Sequence, residues 1–268
     1  MSLLASRRYT ASMQPRPASQ ERSDERFEPT HWSVVSAAGR EADADHSAQT
    51  ALAQLCRTYW SPLYGFVRGR GYSEHDAQDL TQGFFCHLIE HRIYAQTDQT
   101  KGKFRSFLLA SIKHFLADAY DREHAIKRGG ACEFLPLHEE QATAAEALFQ
   151  GSVTPGPRPA EDQLFERQWA ETVVNTALGR LAAEFAEEGK ASLFKTLEAF
   201  VRGSADPLPS YDQLAQRLEM PAATVRSHVN RLRARYRVLV RAELRRTVQR
   251  AEAVDEELRE LLRVLTTK

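Results

Sequence analysis

Six arginines and no acid stand between Ala223 and Arg241, in the stretch ATVRSHVNRLRARYRVLVR. Over the whole chain 36 basic side chains balance 36 acidic ones, so the accumulation is local. A guanidinium is a planar fork of donors that fits phosphate oxygens and the O6/N7 edge of guanine, and an Asn amide fits adenine. On a helix turning about 100° per residue, Val225, Val229, Leu232, Tyr236, Leu239 and Val240 fall on one stripe, which predicts a buried side. Arg226, Asn230, Arg233, Arg237 and Arg241 share the open side; Ser227 and Arg231 lie further round, still off the stripe. The N-terminal part of that side carries Arg226, Ser227, Asn230 and Arg231, groups suited to base edges. The later arginines suit phosphates, because a straight helix leaves the groove after about two turns. Duplex DNA is the expected partner, and a protein-facing arginine helix is the alternative.

Charge is segregated elsewhere too. Lys101–Arg128 has seven bases and three acids, Gly71–Glu90 has four acids and no Lys or Arg, and Gly129–Phe165 has six acids and one Arg. Such separation fits more than one charged partner, although a solvated helical surface accounts for any single block. Asp76 and Asp79, three residues apart, are neighbours on one helical face. The string HLIEH, His87–His91, matches H-x-x-E-H, in which two His at i and i+4 hold zinc and Glu90 acts as base. That chemistry needs a third ligand and a cleft, and no acidic motif stands out on a following helix. Cys56, Cys86 and Cys132 lie far apart without a C-x-x-C pair. This argues against a disulfide framework or a thiolate zinc site and predicts reduced, packed cysteines in a cytoplasmic protein.

The elements that must position these groups read as helices almost throughout. A chain of 268 residues is long enough for two cores, and 42% hydrophobic with 27% charged residues is the mix of a soluble globular protein. No apolar run approaches the roughly 18 residues that cross a bilayer. Residues 1–26 lack the apolar stretch of a secretory signal and read as a disordered tail. Ala77, Leu80, Phe84 and Leu88 recur at helical spacing, as do Trp169, Val173, Ala177, Leu181 and Phe185. Gly71 is placed to close one helix and Ser73 to cap the next, with Asp76 at its third position. Residues 129–159, rich in glycine, proline and acid, predict an irregular linker with one short helix around Ala144–Phe149. Beyond it come long helices at about 160–186 and 190–202, then a capping box of Ser210 and Gln213, the turn EMP and the basic helix. Short helix, tight turn and longer basic helix is the helix-turn-helix pattern. Val254, Leu258, Leu261, Leu262 and Leu265 make the tail amphipathic, fit to dimerise or to pack back on the second domain.

The stretch YDQLAQRLEMPAATVRSHVNRLRARYRVL resembles region 4 of the extracytoplasmic-function sigma factors, whose helix-turn-helix reads the −35 promoter element. Thr224, Val225, Arg226, Ser227, Arg231 and Arg233 stand where that family has T-V-K/R-S and its later basic residues. In the first half, DAQDLTQGFFCHLIE is similar to the region 2 helix that grips the polymerase β′ clamp. KGKFRSFLLASIKHFLADAYDR resembles the loop and helix that read the −10 element. The resemblance covers about Phe27–Arg250 and is closest to a long subgroup with THWSVV near the start and a helical tail.

The resemblance implies an all-α fold of two helical domains, region 2-like over 27–128 and region 4-like over 160–250, with the linker 129–159 between them and a helical tail over 251–268. It implies core RNA polymerase (β′ clamp and β flap) and promoter DNA as partners, leaves room for an anti-sigma or other regulator, and calls for no membrane, cofactor or metal. Asp76, Asp79 and Gln82 would face the clamp. Thr224, Arg226, Ser227, Asn230, Arg231 and Arg233 would contact the −35 duplex. The loop QTDQTKGK would hold an unstacked base, Lys113, His114 and Asp118 would meet the neighbouring duplex, and Lys101, Lys103, Arg105 and Arg122 would supply charge. Gly83, His114, Glu219 and Pro221 depart from the family's usual residues. No catalytic residue is expected; the competing readings are a stand-alone helix-turn-helix regulator and, more remotely, a zinc hydrolase. The first half discriminates, since a repressor needs neither an acidic clamp helix nor a basic melting loop.

Overall fold

The computed structural model describes residues 46–91, 93, 103–123, 139–152, 160–202, 208–248 and 253–266. Among them are ten helices and no strand: α1 (His46–Gly69), α2 (Glu74–Glu90), α3 (Phe104–Glu123), α4 (Glu139–Ser152), α5 (Glu161–Glu187), α6 (Ala191–Leu197), α7 (Ala199–Arg202), α8 (Tyr211–Leu218), α9 (Ala222–Thr247) and α10 (Ala253–Thr266). None of these helices is long and apolar enough to cross a membrane. The N-terminal tail 1–26 and the loop segment 96–102, including Lys101, lie outside the described residues.

Local sequence explains where the helices stop and start. Gly71 takes φ 95°, a left-handed turn that only a residue without Cβ enters freely, and ends the α1 segment. Ser73 Oγ then accepts from the Asp76 backbone N–H at 3.1 Å, satisfying one of the donors left over at the start of α2. The expected helix over 190–202 is instead two pieces, with Glu198 between them in a turn.

α1 is the central element. Tyr59, Leu63, Tyr64, Phe66 and Val67 are all essentially inaccessible, so the helix is apolar on almost every side. α5 lies along it most extensively, with α4, α2 and α3 completing the cover. Trp169 and Phe165 of α5 and Phe84 and Phe85 of α2 reach the same core. Close approach of α5 requires Gly65, where a Cβ would fall inside the Gln168 side chain. Gln168 is fully buried there, and among the described residues neither its Oε1 nor its Nε2 has a hydrogen-bond partner.

Several expectations need correction. The helix expected around Ala144–Phe149 in the linker is present but longer: residues 139–152 form a 14-residue helix whose Ala142, Ala145 and Phe149 are buried. An acidic, glycine-flanked segment hides this because only one narrow stripe of α4 is apolar. On α4, Glu146 accepts from Arg68 Nε at 2.9 Å and Arg68 Nη2 at 2.8 Å, and from the Tyr64 hydroxyl. The Arg68 fork holds the Glu146 carboxyl down at about 2. Among the described residues, one cluster of buried side chains takes in positions from Cys56 to Leu261. Cys86 is disulfide-bonded, against the expectation of reduced cysteines; Cys132 lies outside the described residues, and Cys56 is free. Separation along the chain had argued against pairing, but it does not measure separation in the fold. Burial pushes the Cys56 thiol up to about 12, which leaves it an inert packing group.

Candidate nucleic-acid interface

The short helix α8 begins with a complete capping box: Ser210 N–H donates to Gln213 Oε1 at 2.8 Å and Gln213 N–H to Ser210 Oγ at 3.2 Å. It ends at Glu219, whose φ of 51° and ψ of 41° are left-handed. Pro221, at φ −58°, starts α9, where its missing N–H would have no helical partner. Leu214 on α8 is buried, as are Val225, Val229, Leu232, Leu239 and Val240 on α9. Tyr236 is half-buried and its hydroxyl donates to the Val174 carbonyl at 3.3 Å. The apolar stripe thus turns inward as its spacing requires.

Thr224, Arg226, Ser227, Asn230 and Arg231 all face solvent on the first turns of α9. The Arg226 guanidinium lies 5.2 Å from the Tyr211 ring, which itself stacks on Phe200 at 5.7 Å. Such a contact pre-orders a long side chain on the face it presents. Arg233 departs from the group. It is half-buried, its Nε donates to the Phe200 carbonyl at 3.1 Å, and it ties α9 to α7. Further along, Arg235 makes a fork onto Glu184 at 2.7 and 2.6 Å and holds that carboxyl below its ordinary range. Arg241 grips Asp255 of α10 at 2.6 and 2.5 Å. No carboxylate among the described residues pairs with Arg226, Arg231 or Arg237. His228, half-buried beside them, is pushed toward its neutral form by desolvation and by Arg231.

The first-half cations sit differently. Lys103 lies 3.5 Å from Glu256 Oε1 and 3.2 Å from Glu257 Oε1. Arg105 is only 5% exposed. Its guanidinium stands 4.1 Å over the Trp169 ring, with Glu257 on Nη1, Glu166 Oε2 at 2.9 Å from Nε, and Glu260 Oε1 at 4.0 Å from Nη2. Lys113 Nζ meets Asp162 Oδ2 at 2.7 Å. His114 and Asp118 are exposed on α3. Arg122 belongs to α3, but its side chain is outside the described set. Lys103, Arg105 and Lys113 are therefore each covered by acids of the second half.

On α2, Asp76 and Asp79 are exposed side by side, Asp76 also accepting from Ser73 Oγ at 2.6 Å and Asp79 lying 3.9 Å from His75. Gln82 is half-buried next to them. A Cβ on Gly83 would meet Phe115 Cζ at 3.5 Å, an ordinary contact, so the glycine is not demanded by packing. His87 and His91 stack edge-on at 4.5 Å, and the described residues contain no group of three metal-ligating side chains.

No protein-family model, curated protein or solved structure matches the chain.

The arrangement can do two things. The start of α9 offers donors to a groove without a competing acid, and α2 offers an open carboxylate pair to a basic surface. What sequence reasoning missed is the set of acids opposite the first-half cations: Asp162, Glu166, Glu256, Glu257 and Glu260. Their partners stand 49 residues away for Lys113–Asp162 and 152 for Arg105–Glu257, beyond any local spacing rule.

Proposed function

We propose that the chain is a promoter-specificity sigma subunit of bacterial RNA polymerase, a cytoplasmic protein without catalytic residues or cofactor. The observation that carries the reading is the solvent-facing set Arg226, Ser227, Asn230 and Arg231 on the second helix of a capped helix–turn–helix. Arg and Asn at the N-terminal end of such a helix can form bidentate bonds to guanine and adenine edges. The exposed pair Asp76 and Asp79, on a separate helix, supplies a second surface of opposite sign, suited to a basic clamp. A disulfide at Cys86 is the feature least typical of a reducing compartment.

A stand-alone operator-binding regulator is the second reading. It is favoured by Leu262 and Leu265 on α10, 52% and 39% exposed, which would suit a dimer contact. Run-off transcription with core polymerase on a genomic template pool separates the two. The proposed function expects new start sites when the chain is added, and loss of polymerase co-elution with Asp79→Arg while the helical signal is kept. Operator binding by a chain that ignores core polymerase would establish the regulator instead.

A further inference from the structure

We propose that α10 is an internal latch: its carboxylates Glu256, Glu257 and Glu260 occupy the cationic surface of Lys103 and Arg105, which takes the phosphates of an opened DNA strand once α10 leaves. The inference rests on the proposed function for what the surface binds, but the latch itself follows from geometry.

Charge placement is uneven in a way that packing alone does not require. Arg226, Arg231 and Arg237 on α9 have no carboxylate partner among the described residues, whereas Lys103 and Arg105 at the start of α3 share Glu256 and Glu257 of a single 14-residue helix, with Glu260, which is hydrogen-bonded to Arg263 of its own helix, 4.0 Å from Arg105. Glu257 is itself buried and is the acid common to both cations. A carboxylate row at this spacing presents the groups a phosphate backbone would present, to the same donors. α10 also holds Arg241 through Asp255, so one helix bridges the front of α3 and the back of α9.

The latch is built to be undone. Its apolar anchorage is one edge, with Val254 and Leu261 buried, Ala253, Leu258 and Val264 packed part-buried beside them, and Leu262 and Leu265 left outside. A short helix held by ion pairs and a single apolar edge is among the elements that open first. When it leaves, Arg105 keeps Glu166 and the Trp169 ring, while Nη1 and Nη2 become available. The duplex-reading face of α9 stays exposed in either state, so only the single-strand site is gated.

Val254→Ser/Leu261→Ser in the full chain tests this by weakening the anchorage while leaving every charge as it is. Release is checked by faster tryptic cleavage after Arg259. The latch predicts that a labelled single-stranded DNA of about a dozen nucleotides then binds about tenfold tighter or more, as the competent fraction rises. Glu256→Gln/Glu260→Gln, which changes only exposed or half-exposed partners, gives a smaller gain in the same direction and covers the case where the first variant unfolds. Unchanged affinity in a folded variant with α10 released, or in the Gln pair, overturns the latch. Co-elution with core polymerase, measured on the same proteins, keeps the two ideas apart. Tighter strand binding without polymerase association supports the latch and removes the sigma reading, whereas polymerase association without tightening removes the latch alone.

Discussion

At the scale of single residues, Arg226 is the side chain on which specificity turns. Replacing it with Ala removes a donor fork that Tyr211 holds in place and is expected to weaken recognition by about 1–3 kcal/mol and relax preference at one base pair. Binding to a library randomised at each position measures this, and a uniform loss across all sequences would reassign Arg226 to a phosphate. Glu219 makes a second case. Its left-handed backbone burdens a residue with a Cβ, so Glu219→Gly should stabilise the chain by about 1 kcal/mol, read as a higher urea midpoint.

Between residues and the whole chain stands α4, a helix expected only around Ala144–Phe149 and found to span Glu139–Ser152. Glu146 fixes it to α1 through Arg68 and Tyr64, with the Arg68 Nη1 also donating to the Tyr72 carbonyl at 2.7 Å. Because the folded-state carboxyl lies at about 2, below its ordinary 4.5, its contribution is fully present above pH 5 and is lost as pH falls toward 2. Urea titrations of Glu146→Gln against the native chain should therefore differ by about 1–2 kcal/mol at pH 7, partial exposure screening the pair. The difference should vanish near pH 2. A gap that persisted in acid would assign the effect to packing rather than charge.

For the whole molecule, the seam between α1 and α5 decides the architecture. Gly65 admits α5, and Gln168 is buried there with its amide unpaired among the described residues, a cost of about 1–3 kcal/mol. Gly65→Ala should force the helices apart, lowering stability by about 1–3 kcal/mol. Differential scanning calorimetry checks it; an unchanged unfolding temperature would mean that Gln168 swings aside freely. The seam joins segments that composition alone divides into two domains, and the same apposition brings Asp162 and Glu166 against the cations of α3.

The amino-acid sequence by itself determined the helical character of the chain, the caps at Ser73 and Ser210, the buried stripe of α9 and the exposure of Arg226, Ser227, Asn230 and Arg231. Each of these depends on side chains within one or two turns of each other, so periodicity and capping chemistry suffice. Tertiary structure alone decided that Arg233 ties α9 to α7, that α4 is a core helix, that Cys86 is oxidised and that Lys103, Arg105 and Lys113 face acids instead of solvent. A cation's availability depends on the charge that packing places within a few ångströms of it, and for Arg105 that charge arrives from 152 residues along the chain.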